Sequence, residues 1–60
     1  MTYEVTYFAD GMQVYRETFD ILSLADAKRK AGETVQMLKT KYDIRRVCLY
    51  DGEKTVEMCF

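Results

Sequence analysis

Two Asp-Gly dipeptides, Asp10-Gly11 and Asp51-Gly52, set the plan of this chain, because each stands between segments whose apolar residues recur at every second position. Asp-Gly supplies the positive φ angles that tight turns require, so each dipeptide predicts a β-hairpin. Before the first turn, Tyr3, Val5, Tyr7 and Ala9 alternate with Thr2, Glu4, Thr6 and Phe8, the period of a strand with one buried face. Its partner strand runs from about Met12 to Phe19. Around the second turn the strands run from Ile44 to Tyr50 and then to the C-terminus, with Val56, Met58 and Phe60 facing inward.

Between the hairpins the period changes from 2 to 3.6. Leu24, Ala27, Ala31, Val35, Leu38 and Tyr42 fall within about 60° of one line on a helical wheel. Ser23 is placed to cap the first turn, and Asp26 suits the positive end of the helix dipole. The pattern predicts a helix over 24–41, roughly 27 Å long, that Asp43 ends. Gly32 lies on the flank of the apolar stripe at a cost of about 1 kcal/mol relative to Ala, which close approach of a neighbouring strand would explain.

Charge selects the registers. A two-residue first turn opposes Glu4 and Glu17, whereas a three-residue Ala9-Asp10-Gly11 loop with Gly11 as a bulge pairs Glu4 with Arg16 and Val5 with Tyr15. The second form is expected, with Tyr3, Val5, Tyr7, Tyr15 and Phe19 on the core face. A two-residue turn at Asp51-Gly52 pairs Val47 with Val56, Leu49 with Lys54 and Arg46 with Glu57.

One apolar stripe on one helix covers one sheet face. The expected fold over residues 1–60 is therefore a single α+β domain, a two-layer ββαββ sandwich with one helix on a four-stranded mixed sheet. Strand orders 2-1-4-3 and 1-2-3-4 both fit; the apolar end of strand four favours 2-1-4-3, which puts it at the centre beside strand one. Hairpin, helix and hairpin in this order, opening on Met1-Thr2-Tyr3 and closing on the alternation that begins Lys54-Thr55-Val56, resembles the immunoglobulin-binding domains of streptococcal protein G. The likeness spans the whole chain as architecture, a β-grasp arrangement, and implies the 2-1-4-3 order. No binding residue carries over.

Chemistry is sparse. Histidine is absent and Ser23 is the only serine, so no Ser-His-Asp or Cys-His arrangement can form and no enzyme is expected. Two cysteines cannot close a four-ligand zinc site, and no metal or cofactor is expected. The registers above place Cys48 and Cys59 on adjacent strands four rungs apart, roughly 13 Å, too far to bridge. The opening residues have neither a basic nor an apolar signal region, and no apolar run approaches the ~20 residues that span a bilayer. The expectation is a cytoplasmic chain, of the compact and linker-free kind that suits a bacterial or phage accessory protein.

Two readings of function follow. The outer sheet face is expected to carry Phe8, Met12, Val14, Ile44, Cys48, Tyr50 and Cys59, enough apolar surface for a protein-interaction module, with a homodimer through that open face as one form of it. Its contact residues are Phe8, Val14, Cys48 and Tyr50. The alternative is a small nucleic-acid-binding protein. Seven of the nine basic residues fall between 28 and 46, against Glu33 and Asp43 alone, a local charge of +5 in a chain whose net charge is −1. Lys30, Lys41 and Arg45 carry that alternative. Against it, the helix lysines divide between the two flanks of the apolar stripe, leaving no single basic stripe.

Overall fold

The computed structural model describes residues 1–21 and 23–60. Strands β1 (Thr2–Ala9) and β2 (Met12–Asp20) form the first hairpin, α1 (Leu24–Leu38) follows, and β3 (Ile44–Tyr50) and β4 (Thr55–Cys59) form the second. The four strands make one sheet in the order β2-β1-β3-β4, antiparallel throughout.

This order corrects the expected 2-1-4-3 mixed sheet. β3, not β4, is the central neighbour of β1. The reason lies in the side chains: β3 offers the completely buried Ile44, Val47 and Leu49, whereas β4 alternates half-buried Val56 and Met58 with exposed Thr55, Glu57 and Cys59. Phe60, an apolar residue that the sequence places inward on β4, is itself exposed beyond the strand's end. The streptococcal resemblance therefore extends to the order of elements along the chain and not to the sheet they build.

The first turn is tighter than expected. Asp10 and Gly11 both have positive φ, 54° and 74°, and connect Ala9 directly to Met12. A bulge then leaves Val14 without a partner and moves the register on, so that Glu4 faces Thr18 and Val5 faces Glu17. The bulge, rather than the turn, separates Glu4 from Glu17. The ion pair between Glu4 and Arg16 forms all the same, at 2.7 Å, across a diagonal.

The second turn is looser, and the two-residue register gives way to a four-residue loop. Leu49 faces Val56, Val47 faces Met58 and Arg46 faces Cys59, while Arg46 still reaches Glu57 diagonally at 3.7 Å. Asp51 organises the loop: its Oδ1 accepts from the backbone N–H of Glu53 at 2.8 Å and of Lys54 at 2.9 Å. Those two bonds favour the ionised carboxylate and hold Asp51 below the ordinary 3.8.

Helix α1 begins as expected, with Ser23 Oγ accepting from the N–H of Asp26 at 3.2 Å. It stops at Leu38, short of 41. Thr40 Oγ1 donates to the Met37 carbonyl at 3.0 Å, a local bond that competes with continued helix, and Tyr42 N–H closes the turn on the Leu38 carbonyl at 2.8 Å. Ala27, Ala31 and Val35 are wholly buried and seat α1 over β1 and β3. Among the described residues an added Cβ at Gly32 meets nothing within 4 Å, so close approach of a strand is not why glycine is there.

Candidate functional site

Because α1 rests on the two central strands, edge strand β2 keeps much of its inner side open. Tyr15, Glu17 and Phe19 project from that side towards the flank of the helix that carries Lys30, Thr34 and Met37. Their contacts form a ladder. The Lys30 ammonium stands 5.5 Å from the centre of the Phe19 ring, and Tyr15, Glu17, Thr34, Met37 and Leu38 enclose a hollow of about 300 Å³. Tyr15 is 44% exposed and Met37 74% exposed, so the apolar lip of the hollow faces water.

The floor of the hollow is polar. Tyr7 is completely buried in the core, and its hydroxyl donates to the Glu17 carboxylate. Burial, and then the Glu17 carboxylate, push the Tyr7 phenol well above its ordinary range, while the Thr34 hydroxyl on the same oxygen acts in the opposite direction. Tyr15 lies tilted against Tyr7 with ring centres 5.8 Å apart. Among the described residues no cation pairs with Glu17. A half-buried carboxylate beside two tyrosine rings and a thioether can hold a strand or side chain from outside.

The outer face differs from its expected form. Phe8, Cys48 and Tyr50 do share it, in rows that read Thr18-Glu4-Tyr50-Thr55, Arg16-Thr6-Cys48-Glu57 and Gln13-Phe8-Arg46-Cys59 across the sheet. Val14 and Ile44 do not. The bulge in β2 turns Val14 against the core, and a second bulge, which leaves Arg45 unpaired in β3, sends Ile44 inward to 1% exposure. Met12 faces core residue Ala9 and so also lies on the helix side. Of the rest, the Phe8 ring lies under the Arg46 guanidinium at 4.3 Å, whereas Tyr50 stays 42% exposed with its hydroxyl donating to the Gly52 carbonyl at 2.9 Å.

Comparison with protein-family models, curated proteins and solved structures finds no match to this chain.

The cysteines are nearer each other than expected. With Cys48 opposite Glu57 and Cys59 opposite Arg46, the two thiols are diagonal neighbours, about 7–8 Å apart at their Cα atoms, still beyond ordinary disulfide reach. Both are free, and Cys59 Sγ donates to Glu57 Oε1 at 3.6 Å. Among the described residues no three Asp, Glu, Cys or His side chains converge as metal ligands, and no helix is long and apolar enough to cross a membrane.

The basic residues are dispersed. Lys30 lies at Phe19, which pairs with Tyr3, whereas Arg45 lies beside the partners of Phe8 and Ala9, about 17–20 Å further along the sheet. Arg45 is held by Asp43 at 3.0 Å, and Arg29 by Glu33 at 3.1 Å. Lys41 belongs to the turn after the helix, at the Arg45 end. The residue that sequence reasoning passed over is Glu17: in the period of Tyr15 and Phe19 it falls on the inward side, and a carboxylate there is the signal that marks the hollow.

Proposed function

We propose that this chain is a non-enzymatic protein-interaction module whose contact runs along the free edge of β2 and the hollow beside it. The observation that carries this reading is the exposed apolar lip, Tyr15 and Met37 with Leu38, next to a strand with one unpaired side. An extended segment added to such an edge gains main-chain hydrogen bonds and seats alternate side chains in the hollow. The outer face offers a partner less continuous apolar surface, since its ion pairs and the Arg46–Phe8 stack separate exposed Tyr50 from the rest. On this reading the protein works in the cytoplasm, where unpaired Cys48 and Cys59 stay reduced.

The test is site-specific photo-crosslinking in the cells that make the protein. A crosslinking residue at Met37 gives discrete adducts, and the same residue at Thr6 on the outer face gives few. Equal labelling at the two positions, or none at Met37, sinks the proposal. Nucleic-acid binding through Lys30, Lys41 and Arg45 draws less support from residues spread along the sheet; salt-sensitive retention on heparin that Lys41→Ala abolishes would revive it.

A further inference from the structure

The free edge of β2 is self-complementary. In a two-fold antiparallel pairing of β2 with a second β2, opposed residues share a face, so the available registers differ in steps of two. Charge separates them. Centred on Arg16, two guanidinium groups meet. Centred on Glu17, two carboxylates meet. Centred on Phe19, Asp20 meets Thr18 and no ion pair forms. Centred on Thr18, Arg16 meets Asp20 of the second copy, twice, with Thr18 on Thr18 between them. Both charged side chains are exposed, and Arg16 retains its own Glu4 at 2.7 Å because its guanidinium has donors to spare.

The helix side of the same register is complementary as well. Glu17 falls opposite Phe19 of the second copy, over whose ring the Lys30 ammonium stands. Glu17 has no cationic partner in its own chain among the described residues, and Lys30 forms no ion pair there. Tyr15 meets Ile21, which already packs on the core. The bulge at Val14 lies outside the paired span.

From this pattern we infer that two copies of the chain join β2 to β2, Thr18 on Thr18, into one eight-stranded antiparallel sheet with both helices on the same face. The inference rests on the β2-edge reading above and names a second copy as the occupant. The experiment is sedimentation equilibrium at low salt up to about 1 mM chain, a range that reaches millimolar dissociation constants. The wild type dimerises. Asp20→Arg and Arg16→Asp each place like charges across the two-fold axis and weaken the dimer about tenfold or more. The double variant Arg16→Asp/Asp20→Arg recovers it, which a folding defect in either single variant could not produce. A wild type monomeric throughout, or a dimer indifferent to both single changes, overturns the inference. A monomer that still gives Met37 adducts with another protein discards the dimer alone, whereas a monomer without adducts discards the edge reading too.

Discussion

The two hairpins start from the same dipeptide and end in different structures. At Asp10-Gly11 the backbone itself takes positive φ at both residues, the turn is two residues long, and a bulge then corrects the register. At Asp51 the side chain accepts the loop's N–H groups instead, and the loop is four residues long. Asp-Gly thus specifies that the chain reverses, while register is settled by what the flanking side chains must meet or avoid. The halves differ in their packing as well. The β3 side of the sheet buries Ile44, Val47 and Leu49 under the helix beside a hollow of about 250 Å³ at Leu49 and Val56, and the β2 side leaves a hollow of about 300 Å³ with a carboxylate at its floor.

That contrast is tested hardest at the bulges. Ile44 lies beside the β3 bulge and is fully buried, so Ile44→Ala removes a core side chain and costs about 2–5 kcal/mol. Val14, unpaired at the β2 bulge, is only half-buried, and Val14→Ala costs distinctly less. Urea denaturation of the two variants gives the comparison. Equal losses would mean that the two sides are equally closed.

How far the sequence reaches is visible at these same residues. The elements were legible because periods of 2 and 3.6 are local, as is the Ser23 cap on Asp26. Strand order was not, since it rests on whether β3 or β4 better fills the place beside β1, a choice between distant segments that both alternate. The registers missed by two because diagonal ion pairs satisfy Glu4 with Arg16 and Arg46 with Glu57 as well as direct ones do. A shift of two preserves facing, which is why Phe8, Cys48 and Tyr50 share the outer face. Bulges reverse facing without a local signal, and so Val14 and Ile44 were misplaced.

The tie between Tyr7 and Glu17 makes the β2 half sensitive to alkali. Burial raises the Tyr7 phenol above its ordinary 10.0, so the folded state prefers the protonated form. The associated stability is complete below pH 10.0 and is lost as pH rises above it, by at most about 1.4 kcal/mol per pH unit. Tyr7→Phe abolishes this steep limb and costs about 1 kcal/mol at neutral pH, where the Glu17 hydrogen bond is missing. Denaturation midpoints measured across the alkaline range separate the two effects. An unchanged alkaline slope in Tyr7→Phe would assign the limb to another group.

The opposite flank of the helix predicts a gain. Gly32 has helical backbone and open space where a Cβ would stand, so Gly32→Ala stabilises the fold by up to about 1 kcal/mol through a smaller loss of backbone entropy. A thermal midpoint that falls instead would show that packing or backbone geometry within the fold requires the glycine.

The smallest effect belongs to the second turn. Backbone N–H groups of Lys54 and Glu53 hold the Asp51 carboxyl below its ordinary 3.8, so its contribution is present above that pH and is lost as pH falls through the lowered folded value. Asp51→Asn keeps an oxygen where Oδ1 stands and removes the charge, so the loop can form without its acid sensitivity. The gap in thermal midpoint between wild type and variant is therefore small at neutral pH and closes below pH 3.8. A gap that stays constant as the pH falls below 3.8 would show that the charge on Asp51 does not hold the loop.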